Sequence, residues 1–120
     1  MKLRIRTTDS FGESYDATID ATKEENKTGI KYTYSDEYAN VKIFILKNKV
    51  QIVRDGDIKS NKLLKLDQKT IFAYRASYMN RNFEIFTKSL LIKEKKIRAI
   101  YSITEEEEVV NELTLKIDEL

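Results

Sequence analysis

The chain has 120 residues, 41% of them hydrophobic and 35% charged, which allows one domain with one core and excludes both a disordered polymer and a membrane-spanning composition. Its 22 basic and 20 acidic residues nearly cancel to +2, so charge balance alone does not point to nucleic acid. With no cysteine and no histidine, disulfides, thiolate nucleophiles, Cys/His zinc sites, Ser-His-Asp triads and the usual base near neutral pH are all excluded.

The first residues, Met1 to Arg6, alternate basic and apolar side chains and never form the unbroken apolar run of a signal peptide. No later stretch reaches about 18 consecutive apolar residues, so a cytoplasmic protein without a membrane anchor is expected. The dominant period is two. Leu3, Ile5 and Thr7 alternate with Lys2, Arg4 and Arg6, and Tyr15, Ala17, Ile19 and Ala21 alternate with polar neighbours. Ile30, Tyr32 and Tyr34 repeat the pattern, so each segment reads as a half-buried strand.

From Val41 to Leu46 apolar residues fall on both parities, as in a strand covered on two sides or bending at a barrel corner. Lys47 to Lys49 turns the chain into a strand at Val50–Arg54. Asp55-Gly56 then reads as a hairpin turn, because Gly reaches positive φ without steric cost. Further strands are predicted at Ile58–Leu66, Thr70–Ala76, Phe83–Thr87, Lys96–Thr104 and Val109–Asp118, with Asn80 to Asn82 and Lys93 to Lys95 as polar connections. Leu63-Leu64 and Ser89 to Leu91 admit a short helical turn as the alternative.

About ten strands joined by short turns, with no helical period, describe an antiparallel meander. Val, Ile, Thr, Tyr and Phe together supply 41 of the 120 residues, the types that favour strands. There is no proline to blunt an edge strand, so closure into one β-barrel over residues 1–120, of about 8–10 strands, is expected rather than an open sandwich.

Several short patterns follow one another along the chain: Tyr34 to Glu37, Val50-x-x-x-Arg54-x-Gly56, Thr70-x-x-x-Tyr74, Phe83-x-Ile85-x-Thr87, Ile97-x-x-x-Tyr101 and Asn111-x-Leu113-x-Leu115. From about Gly29 to Asp118 this order resembles the YwiB-like family of uncharacterised bacterial proteins. The resemblance implies a calycin-like, lipocalin-related β-barrel in a bacterial protein. It departs at Arg81 to Glu84, where the family commonly has Gly. It implies no activity, since the family has no established one and a fold does not determine function.

The informative residues are polar ones that interrupt apolar inward rows. Arg54 is in phase with Val50 and Ile52, Thr87 with Phe83 and Ile85, Asn111 with Leu113 and Leu115, and Tyr101 with Ile97 and Ala99. If those rows face the lumen, Arg54 needs a partner, whether a carboxylate, backbone carbonyls or the anionic group of a ligand. Thr87 and Asn111 would orient such a ligand, and Tyr32, Tyr34 and Tyr101 would cover its apolar part. The structural reading of the same residues puts the Arg54 head in water at a strand end, Asn111 at a strand start and the Tyr residues in the core.

Lys2, Arg4 and Arg6 share one strand face at roughly the spacing of phosphates along a nucleic-acid strand. The preferred reading is a solvated, edge-protecting row, with single-stranded nucleic acid as the weaker alternative. Lys59, Lys62 and Lys65 change parity and form no such row. General bases are limited to carboxylates, Lys and Tyr, with no catalytic constellation visible, and no metal or cofactor is expected. The sequence therefore favours a barrel that binds a small molecule, set against a filled barrel acting as a structural or protein-interaction module, which a homodimer through an edge or an exposed face would fit.

Overall fold

A computed structural model describes residues 1–120 as an all-β structure of eleven strands. They are β1 (Lys2–Asp9), β2 (Ser14–Asp20), β3 (Thr22–Glu25), β4 (Ile30–Ser35), β5 (Ala39–Leu46) and β6 (Lys49–Gly56). Next come β7 (Lys59–Lys65), β8 (Lys69–Ala76), β9 (Met79–Lys93), β10 (Lys96–Glu105) and β11 (Glu108–Glu119). All lie in one sheet, β2-β1-β11-β10-β9-β8-β7-β6-β5-β4-β3, with every neighbour antiparallel. No helix of the molecule is long and apolar enough to cross a membrane.

The sheet nearly closes on itself because its two outermost strands are continuous in the chain. Only buried Ala21 separates β2 from β3. Its N–H donates to the Met1 carbonyl (2.9 Å) and its carbonyl accepts from the Met1 ammonium (3.1 Å). The run 14–25 therefore pairs with β1 in its first part and with β4 in its second. Counted as one strand, it makes the barrel ten-stranded, the upper end of the expected range. The β2 edge away from β1 has no partner strand.

Seventy of the 79 backbone hydrogen bonds lie within the strands, so the ladders satisfy most of the backbone. The core is a single cluster of 18 buried apolar residues, fed by the inward positions of nearly every strand. Rows such as Val41, Ile43 and Ile45 on β5 face inward while Asn40 and Lys42 face water. At about 1.5–3 kcal/mol for each large side chain fully buried, these rows dominate the stabilisation.

Three expectations change. Ser89 to Leu91 is strand, not helix, and belongs to the 15-residue β9. Its break in parity is a β-bulge: Ile100 pairs with Ser89 but Tyr101 with Thr87, so Lys88 is the extra residue. Phe83, Ile85 and Thr87 point inward before the bulge, and Leu90 and Ile92 after it. Leu63-Leu64 lies within β7, in keeping with the strand expected at Ile58–Leu66, whereas Asn80 to Asn82 lies within β9 and not in a connection, the turn falling at Ser77-Tyr78.

The turn after β6 is at Asp57-Ile58, not Asp55-Gly56. Gly56 pairs with Ala39, and a Cβ there would collide with the Tyr38 carbonyl oxygen. Close backbone approach, rather than positive φ, is what requires glycine.

Candidate functional site

The inward rows change character along the barrel. At one end Leu3, Ile45, Val50, Leu64, Ile97 and Ile117 are buried. Tyr32 closes this end, its Oη donating to Glu119 Oε2 at 2.8 Å, while Lys23 Nζ pairs with the same carboxylate at 3.0 Å. Burial works against the Glu119 carboxylate, but Lys23 and Tyr32 outweigh it and hold its pKa below the ordinary value. Burial and the Glu119 contact raise the Tyr32 hydroxyl. A recess of about 340 Å³ lies here beside Tyr32 and Glu119.

Towards the other end the same strands carry larger polar groups. Register places Tyr34, Val41, Arg54 and Ser60 in one cross-strand row, and Tyr32, Ile43, Ile52 and Lys62 in the next. A cavity of about 420 Å³ opens there, with Ile5, Ile43, Ile52, Leu115 and Ile117 on its apolar walls. Thr7, Tyr15, Tyr34, Asp36, Glu37, Tyr38, Arg54, Lys62 and Tyr101 supply its polar ones. Tyr15 on β2 and Tyr34 on β4 both line the cavity, so it borders the stretch where β2 lacks a second neighbour.

Arg54 is neutralised by the protein. Its Nη2 donates to Asp36 Oδ2 at 2.9 Å, while Asp36 Oδ1 accepts the N–H groups of Tyr38 and Ala39, each at 2.8 Å. Asp36 thus caps its own turn and pairs with Arg54 at once. Burial pushes its carboxyl up, but the Tyr38 N–H, Arg54 and the Ala39 N–H together bring it below the ordinary value. Burial drives the neighbouring Tyr34 hydroxyl up to about 12, with Arg54 opposing.

Of the two cations that line the cavity, Lys62 is the one without a carboxylate. It takes part in none of the ion pairs of the molecule. Its Nζ donates to Tyr101 Oη at 3.4 Å and stands 4.9 Å from the Phe72 ring centre and 5.7 Å from that of Tyr101. Two aromatic faces and one phenol soften the desolvation of a half-buried ammonium, though by less than a carboxylate would. Lys62 and Tyr101 line the same cavity.

Of the six residues singled out from the sequence, Arg54, Tyr34 and Tyr101 meet at this cavity. Tyr32 lines the recess at the opposite end. Thr87 is fully buried opposite Tyr101 in the ladder, its Oγ1 without a hydrogen-bond partner, and lines neither cavity. Asn111 ties the β1–β2 turn to β11: its Oδ1 accepts from Ser10 Oγ at 2.9 Å and its Nδ2 donates to Asp9 Oδ2 at 3.4 Å. Lys62 was missed. The signal was available in the phase it shares with buried Leu64, but Leu63 offers an equally apolar alternative parity.

On the outer face the basic row is compensated. Lys2 pairs with Asp20 at 2.7 Å, Arg4 with Asp16 through two contacts at 3.0 and 2.8 Å, and Arg6 with Asp118 at 2.8 Å. Arg98 shares Asp118, also at 2.8 Å. This ladder leaves no uncompensated stripe for phosphates to follow.

The family described as "Domain of unknown function (DUF1934)" matches residues 3–117. Among solved structures, the crystal structure of ywiB protein from Bacillus subtilis superposes with a TM-score of 0.76. It is 16% identical, and the match covers 98% of this chain and 89% of that one, a likeness that shows the barrel fold. No curated protein matches.

Proposed function

The chain belongs to the DUF1934 family, and from that premise we propose that it reversibly binds a small apolar molecule carrying one anionic group. The observation that carries the reading is Lys62, a half-buried cation in no ion pair, set beside the isoleucine walls of a cavity of about 420 Å³ whose carboxylates are Asp36, taken by Arg54, and the exposed Glu37. That volume is within the usual range for small-molecule sites, and it weighs against a barrel filled by its own side chains. Lys62 would take the anion, Tyr101 Oη would add a hydrogen bond, and the isoleucines below would cover the apolar body. Arg54, already matched by Asp36, shapes the mouth and holds its turn.

Calorimetric titration with octanoate tests this. A charge-assisted hydrogen bond contributes about 1.5–3 kcal/mol, so Lys62→Met, which keeps the stem and removes the charge, should weaken octanoate binding about 10- to 100-fold. Octanol, lacking the charge, should bind wild type and variant alike. Equal octanoate affinity in the two proteins, or no octanoate binding to wild type, would overturn the reading.

A further inference from the structure

Beside the cavity just described lies a second one of about 510 Å³, bounded by Ala39, Asp57, Ile58, Ser60, Phe72 and Tyr74. Glu37, Tyr38, Arg54 and Lys62 line both. The two spaces thus meet at the same pair of cations, of which Arg54 is already paired with Asp36. The Lys62 ammonium stands at the division: Tyr101, 5.7 Å on one side, lines only the inner cavity, and Phe72, 4.9 Å on the other, only the outer.

From this geometry we infer that the ligand is a two-armed monoanion, in which two apolar groups diverge from an atom next to the anionic group. The inference rests on the proposed binding of an anion at Lys62 and adds the shape of what carries it. One arm enters the inner cavity over Ile43, Ile52 and Leu115. The other lies in the outer cavity against the aromatic group formed by Phe72, Tyr74 and Phe83, whose rings pack at 6.2 Å edge to face and 5.7 Å tilted. An aromatic second arm suits such a wall.

The charged groups around the two spaces narrow the ligand further. Of the two cations shared by the spaces only Lys62 is outside an ion pair, and the exposed carboxylates of Glu37, at the shared rim, and Asp57, on the outer cavity, repel a second negative charge. A dianion is therefore disfavoured, while a carboxylate flanked by an acyl chain and a hydrophobic side chain, as in an N-acylated aromatic amino acid, meets every requirement.

Three probes decide it in one titration series on the intact chain: N-octanoylglycine, N-octanoyl-L-phenylalanine and the C-terminal amide of the latter. The phenylalanine conjugate should bind at least tenfold tighter than the glycine conjugate, because only it fills the outer cavity. The amide should lose most of the affinity. Ser60→Phe, which places a ring in the outer cavity, should bring the phenylalanine conjugate down towards the glycine conjugate; if that variant does not fold, the comparison of the two conjugates decides alone. Equal affinity of the conjugates, both dependent on Lys62, would overturn the two-armed ligand and leave the single-anion site standing. Failure of all three probes and of octanoate would overturn both.

Discussion

The two ends of the barrel are built from the same strands yet do different things. On β6 the inward row runs Val50, Ile52, Arg54; on β7, Leu64, Lys62, Ser60; on β4, Ile30, Tyr32, Tyr34; on β10, Ile97, Ala99, Tyr101. Each begins aliphatic at one end and becomes polar or aromatic at the other. Binary alternation decides which side chains are inside, whereas the gradient along each inward row decides which part of the interior is packed and which is left open. Stability and recognition are separated by only one or two inward positions, about 7 Å per step.

The sharpest test of that division uses two neighbours in one row. Leu64→Ala removes a side chain with no solvent exposure and should cost about 2–5 kcal/mol in chemical denaturation. Lys62→Met, one inward position away, should cost less than about 1 kcal/mol or stabilise the fold, since it replaces an unpaired half-buried charge with an apolar group of similar length. Similar losses in both would erase the distinction between the two ends.

A backbone test comes next. Gly56→Ala at the mouth drives a Cβ into the Tyr38 carbonyl and should destabilise by about 1–3 kcal/mol, as overpacking does, with the Asp36–Tyr38 turn shifting in amide spectra. An unchanged melting curve would show that the mouth yields freely.

The smallest effect concerns the Asp36–Arg54 pair. The Asp36 pKa is lower folded than unfolded, so its contribution is fully present above the unfolded value of about 3.9 and disappears as pH falls through the lower folded value. Both partners keep some solvent contact, which limits the pair to about 1 kcal/mol or less. Wild type should exceed Asp36→Asn in melting temperature by a constant small margin above pH 5, with the margin closing as pH drops below 4. A margin that persists at pH 2.5 would assign the effect to the Asx turn rather than to the charge.

The strands were legible in the sequence because one-sided burial imposes a period of two, and Arg54 and Tyr101 could be placed at the cavity because each continues an unambiguous apolar row. The rest depends on partners that a single strand does not display. Thr87 is inward as its phase says, but the bulge at Lys88, visible only in the pairing with β10, sets it in the ladder opposite Tyr101. Asn111 has the inward phase too, yet the turn at Asp9-Ser10 reaches across and engages it. Lys62 sits beside two leucines of opposite parity, so its direction follows only from the register with Ile52. The change of partner at Ala21 has no local signature at all.

The placement of β1 between β2 and β11 bears on how the chain reaches this structure. From β3 to β11 each strand lies beside the one that follows it in the chain, and β1 and β2 form another such pair. Nearly all of the sheet is thus a succession of local hairpins, whose loops close at small entropic cost. The β1–β11 ladder instead joins opposite ends of the chain, Leu3 facing Glu119, with Arg6 and Asp118 bridged across 112 positions in sequence. That long closure belongs late in folding, and until it happens β11 presents a twelve-residue edge with no proline in the chain to guard it. The slow step and the interval of greatest aggregation hazard are thereby the same event, the docking of the first strand onto the last.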